Sequence, residues 1–156
     1  SPPFGVSADR EPRVATLEDV LALLALMAPF NAHEHIPYDP AKVEPALARL
    51  IGDPSIGLVR VVGPKDDVEG YVILTFGFDL EFQGRDAFVT ELFVRDSSRG
   101  AGLSKVLLEA AERDAREASV RALHLMVRPE NERAYRLYEA RGFERVPRDL
   151  LTKKLG

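Results

Sequence analysis

The sequence predicts an α/β (α+β) domain: a mixed, mostly antiparallel central sheet of six to seven strands with helices on both faces. Three observations carry this. Between residues 56 and 94 the apolar side chains follow a strand period, in short runs parted by polar turns. Before and after that stretch they follow a helical one. A strand–helix–strand unit over residues 87–127 calls for a right-handed crossover and parallel pairing, while the hairpins pair antiparallel.

The opening SPPFGVSADREP, residues 1–12, reads as a loose leader ahead of a single domain over residues 13–156. RVAT offers a short strand, and the Thr16 to Asp19 spacing suits a capping box. Leu17, Val20, Leu21, Leu24 and Met27 then recur at helical spacing. Asp39-Pro40 places a cap before a first-turn proline, so a second helix runs towards Leu50. IGLVRVV, a Gly-Pro-Lys-Asp-Asp turn and GYVILTF read as a hairpin. A second turn, EFQGRD, leads to AFVTELFV, whose alternation puts Ala87, Val89, Glu91 and Phe93 on one face. Next come RDSSRGAGLS and a helix with Leu103, Val106, Leu107 and Ala110 on its apolar side. ALHLMV is a further strand and NERAYRLYEA a further helix, closed by Gly142. The tail from Phe143 can supply one or two last strands.

Composition narrows the function. Hydrophobic residues at 46% and charged residues at 29% suit a globular chain rather than a disordered one. Acidic residues outnumber basic ones, 25 to 21, which argues against non-specific nucleic-acid binding and is compatible with a cationic substrate. Without cysteine there is no disulfide, thiolate metal site or cysteine nucleophile. The longest apolar run, residues 20–30, is too short to span a bilayer and follows no basic segment, so we expect a cytoplasmic protein without membrane association.

Gly100 and Gly102 precede a helix, whose first N–H groups and dipole favour an anion. Arg99 adds positive charge. The stretch is not a P-loop, because Leu103-Ser104 follows Gly102 where Lys-Ser/Thr is needed. It is not a dinucleotide fingerprint either, because Lys105 stands at the third glycine. Alternatively the glycines serve only the geometry of the turn. Glu91, on a strand apolar on both faces, would lose hydration and have its pKa raised, which suits a general base; a glutamate reaching water or pairing with an arginine is the alternative. Tyr138 lies at helical spacing from Ala134 and faces inward, with Tyr135 off that face. His33, Glu34 and His35 supply two imidazoles at best, so no metal site is expected. Asp79 and Glu81 could draw a cation at a rim, or be a solvated turn.

RGAGLSKVLL after ELFV, followed by NERAYRLYEARGF, resembles the GNAT superfamily of acyl-CoA-dependent N-acetyltransferases. The family's Arg/Gln-x-x-Gly-x-Gly/Ala loop falls on Arg99, Gly102 and Ser104, and its later pattern falls on Asn131, Ala134, Tyr138, Gly142 and Phe143. The match covers roughly residues 86–146; Ser104 and Asp96 depart from the usual small residue and proline. The resemblance implies that backbone N–H groups of Arg99, Gly100, Ala101, Gly102, Leu103 and Ser104 hold the pyrophosphate of acetyl-CoA, with Asn131 near the pantetheine arm. It implies Glu91 as general base, directly or through water, and Tyr138 as general acid. It places the oxyanion donor at backbone N–H near Phe93 or Val94, where the family's strands bulge and splay. It brings His33, Glu34, His35 and Asp39 to the acceptor, an amine on a small molecule or a protein. Dimers are common in the family, and no surface in the sequence commits to one. The rival readings are a non-catalytic acyl-CoA sensor, a transferase for another acyl-CoA donor, and a purely structural interaction domain.

Overall fold

Alternating apolar residues on either side of the Gly63–Asp67 turn fold into the hairpin from which the sheet grows. In the computed structural model, which describes residues 10–156, β2 (Gly57–Val62) pairs antiparallel with β3 (Gly70–Asp79). Gly63 takes a left-handed φ of 107° there, and Asp67 N–H donates to the Pro64 carbonyl at 2.9 Å. The leader expected over residues 1–12 lies largely outside the described residues.

A short β1 (Arg13–Val14) joins β2 antiparallel, and β4 (Gly84–Val94) joins β3 antiparallel. β5 (Ala122–Leu125) lies parallel to β4, as the crossover requires. The sheet is mixed and mostly antiparallel, in the order β1-β2-β3-β4-β5. Among the described residues its five strands correct the expected six to seven. No strand forms in the described tail: Pro147 lacks a ladder donor, Arg148 N–H folds back to the Val146 carbonyl at 2.8 Å, and Val146, Leu150, Leu151 and Leu155 are exposed.

The chain divides into two compact units, Ser1–Met126 and Val127–Gly156. In the first, α1 (Val20–His33) and α2 (Pro40–Gly52) cover one face of the sheet. Leu23, Met27, Phe30 and Leu47 pack there with Val59, Val61, Tyr71, Ile73 and Phe93. α1 follows a turn fixed by charge: Arg13 donates twice to the buried Asp19, at 2.9 and 2.8 Å, and Asp19 also accepts from Thr16 N–H. This matches the capping-box spacing read in the sequence. α3 (Leu103–Glu117) covers the opposite face, its Leu107 close to Gly70. Arg60 of β2 reaches α3 through a two-pronged ion pair with Asp114, at 2.6 and 2.8 Å.

One irregularity shapes β4. Ile73 pairs with Glu91 but Leu74 pairs with Val89, so Thr90 is a surplus residue, a β-bulge. The bulge reverses the alternation. Ala87 and Val89 sit opposite Phe76 and Leu74 on the α3 side, whereas Glu91 and Phe93 sit opposite Ile73 and Tyr71 on the α1–α2 side. The single face expected for these four residues is therefore split in two.

In the second unit, α4 (Glu132–Ala140) is capped by the Asn131 side-chain oxygen, which accepts from Ala134 N–H at 3.1 Å. It ends at Gly142, φ 92°, as the sequence suggested. The Tyr138 ring meets Phe143 edge-on at 6.0 Å, and Arg145 lies over Tyr135 at 4.2 Å.

Asp114→Ala would strand the Arg60 guanidinium against the sheet. We expect a loss of about 3 kcal/mol in urea unfolding, and a loss under about 1 kcal/mol would show the pair to be of no more than surface strength.

Candidate active site

Glu91 owes its surroundings to the bulge. Turned onto the α1–α2 face, it is the diagonal neighbour of Tyr71, which itself pairs with Phe93. Tyr71 is wholly inaccessible to solvent, and its hydroxyl donates to Glu91 Oε1 at 2.8 Å. Phe30 meets both Tyr71 and Phe93, with centroids 6.3 and 6.2 Å apart, so the donor sits in an aromatic wall. Tyr38, just before α2, is nearby and gives its own hydroxyl to the Leu24 carbonyl at 2.8 Å.

Burial raises the Glu91 carboxyl above the ordinary glutamate range; the Tyr71 hydroxyl, which favours the ionised form, offsets part of this. Desolvation and the Glu91 charge also push Tyr71 up, and desolvation followed by the same charge raises Tyr38. Both phenols therefore stay protonated as donors. Among the described residues the Tyr71 hydroxyl is bonded to Glu91 and no arginine or lysine pairs with it, so the carboxylate is the site's own negative charge.

The edge of β4 opens beside it. β4 pairs with β5 only over residues 86–89, and past Val89 the two strands no longer pair. Arg95 N–H donates to the Glu69 carbonyl on the β3 side, and strand alternation then directs Phe93 N–H the same way and Leu92 and Val94 N–H to the opened edge. The Val94 carbonyl confirms the direction by accepting from Arg99 Nε at 3.3 Å. Of the two positions expected for the donor, Val94 N–H faces the opening and Phe93 N–H faces β3, and the bulge lies at Thr90 rather than at either of them.

Beyond β4, Gly100 and Gly102 take left-handed φ values of 88° and 75°. A Cβ on either would meet no protein atom within 4 Å, so the backbone angle demands glycine and the space above the turn is clear. Gly102 caps α3 without any side-chain hydrogen bond to the helix start, so the first-turn N–H groups lack a side-chain cap. Leu103 is buried and anchors the helix, while Ala101 is exposed and Ser104 half-buried. An uncapped helix start beneath open space fits a pyrophosphate. Arg99 bends back over Val94 and the Phe93 ring and pairs with Asp96 at 3.2 Å, so its charge lies along the rim.

Some of the other expected residues also fasten the chain locally. Asp39 caps α2 by accepting from Ala41 N–H, and Asp79 caps the turn at Leu80–Phe82 by accepting from Glu81 N–H. One oxygen of each carboxylate is engaged in holding the chain, and Glu81 is exposed on that turn. His33 ends α1, Glu34 caps it, and His35 takes a φ of 58°. No group of three or more metal-ligating side chains converges among the described residues. His124 of β5 is held instead by Asp86 at 3.1 Å between the Phe82 and Phe88 rings. Asn131 and Tyr138 belong to the second unit, Asn131 with its oxygen in the helix cap. Tyr71 and Tyr38 escaped the sequence reading, because only the register of β3 on β4 brings Tyr71 to Glu91.

Two measurements check this electrostatics. Removing the phenolic donor in Tyr71→Phe should raise the Glu91 carboxyl further, by about one pKa unit in a carboxyl NMR titration, given a charged hydrogen bond of about 1.5 kcal/mol. Stability should depend on pH with a definite sign. The folded pKa lies above the unfolded value of about 4.3, so across that window the unfolded chain has released a proton that the fold still holds. Stability therefore falls as pH rises through the window. Glu91→Gln should lose this component of the slope and be at least as stable as the wild type at neutral pH.

Comparison with known proteins meets the same architecture. The Acetyltransferase (GNAT) family model matches residues 20–143. An integron cassette protein from the mobile metagenome of Cole Harbour Salt Marsh is 29% identical, with a TM-score of 0.83 over 96% of this chain and 93% of its own. A candidate acetyltransferase from Arthrobacter sp. FB24 is 26% identical, with a TM-score of 0.80 over 99% and 100%. A third structure, of a predicted acetyltransferase from Clostridium acetobutylicum with acetyl-CoA, shares the fold at 15% identity and a TM-score of 0.77, over 92% of this chain and 95% of its own. No curated protein sequence matches. The family model takes in α1, the bulged β4, the glycine turn and α4, and on that evidence this chain belongs to the GNAT acetyltransferase family.

Proposed function

We propose that the protein transfers an acetyl group from acetyl-CoA to a primary amine by direct attack. Family membership carries the acyl transfer from acyl-CoA; the amine and the roles of individual residues are our reading. The observation that carries it is Glu91, a desolvated carboxylate turned by a bulge to stand beside the opened edge of β4.

An ammonium with a pKa near ~10.4 has no lone pair for attack, so a proton must leave it. Glu91 accepts that proton, directly or through a water, and its raised pKa makes it a stronger base than an ordinary glutamate. Val94 N–H, with Leu92 N–H beside it, faces the edge where an oxyanion would form. The start of α3 and the turn at residues 99–104 hold the pyrophosphate. Asn131 would lie by the pantetheine arm, and Tyr138 would return a proton to the departing thiolate. Acetyl-CoA supplies the activated acyl group, and its named presence in the Clostridium structure supports this choice of donor. Small polyamines, amino acids, aminoglycoside-like compounds and protein amines all satisfy this chemistry as acceptors.

Thiol release from acetyl-CoA, with and without a pooled panel of amines, tests the reaction. We expect amine-dependent release that falls at least about a hundredfold in Glu91→Gln. Unchanged release in that variant would remove Glu91 as the base. Tyr138→Phe should lower turnover while leaving acetyl-CoA binding nearly intact, and equal turnover would retire Tyr138 as the acid.

A further inference from the structure

Glu69 stands at the entrance to β3, far along the chain from the glycine turn, and is only 7% exposed. Its carboxylate is a hub. Glu69 Oε1 accepts from the hydroxyl of Ser98, itself 8% exposed, at 2.9 Å, and from Arg10 Nη2 at 3.4 Å. Arg95 Nη2 is 3.7 Å away. The backbone of Glu69 is engaged as well, its N–H donating to the Val62 carbonyl and its carbonyl accepting from Arg95 N–H.

Arg95 and Ser98 bracket the 3-10 turn Asp96–Ser98, the last structure before Gly100. They are bound to each other, with Arg95 Nε donating to Ser98 Oγ at 2.9 Å and Ser98 N–H to the Arg95 carbonyl at 3.0 Å. Arg95 is further held by Asp67, at 2.6 and 3.1 Å. The hairpin turn makes room for the hub: a Cβ on Gly63 would lie 2.9 Å from Glu69 N and 3.0 Å from its Cγ. The glycine turn itself has two residues free of side-chain crowding, so its conformation depends on what fixes its ends. Buried Leu103 fixes the far end and the Glu69–Ser98–Arg95 network the near one.

We propose that Glu69 is a positioning residue for the pyrophosphate-binding turn, holding residues 95–99 so that the backbone N–H groups of residues 99–104 converge before acetyl-CoA arrives. It acts through Ser98 and Arg95 and does not touch the ligand. This rests on the assignment of acetyl-CoA to that turn. A preformed anion site binds more tightly than one that must be ordered on binding.

The test compares Glu69→Ala and Glu69→Gln with the wild type, measuring the Kd for acetyl-CoA by titration and amide hydrogen exchange in the unliganded protein. Asp114→Ala serves as a control that loses a different buried ion pair. Glu69→Ala should weaken acetyl-CoA about tenfold or more, the scale of one lost charge-assisted hydrogen bond, and speed exchange over residues 95–104 above that of the rest of the sheet. Glu69→Gln keeps an acceptor for the Ser98 hydroxyl and should recover most of the affinity. Asp114→Ala should leave the Kd within about twofold. An unchanged Kd in Glu69→Ala, or an equal loss in Asp114→Ala, would overturn the proposal. Failure of the wild type to bind acetyl-CoA would instead defeat the cofactor assignment, and the exchange measurement would still report whether Glu69 orders the turn.

Discussion

β4 carries one residue more than β3 can match, and the surplus at Thr90 sets the direction of each side chain after it. Before the bulge, odd-numbered residues of β4 look towards α3; after it they look towards α1 and α2. A bulge costs ladder pairing locally, and here it coincides with the point where β5 stops pairing with β4. One defect thus turns a carboxylate onto the phenol of Tyr71, and beside it the strand's other edge is freed.

Much of this was legible in the sequence. The hairpin, the parallel crossover, the cap at Asp39 and the stop at Gly142 each rest on local chemistry that one or two residues state. Gly100 and Gly102 announced a special backbone, and the structure gives the reason as left-handed φ with clear space above. Glu91 stood out because a lone carboxylate interrupts an apolar strand.

What the sequence hid depends on pairing between distant segments. No alternation rule applied to AFVTELFV reveals a surplus residue, because a bulge is defined only against the partner strand. Tyr71 and Glu69 were unreadable for the same reason: each matters through a contact 20 or 29 residues away in the chain. The tail misled in the opposite direction, its scattered leucines suggesting strands that Pro147 and the lack of alternation do not support.

The Tyr71–Glu91 contact bears on what happens between one reaction cycle and the next. Burial makes Glu91 hold a proton more firmly than an ordinary glutamate, even with the Tyr71 hydroxyl favouring its charged form. In the proposed reaction, a Glu91 that has just taken a proton from an amine must give it up again before it can serve as base. Resetting it requires a route by which the proton reaches water from a side chain backed by buried aromatic rings, and a second acceptor can be served only once that proton has gone.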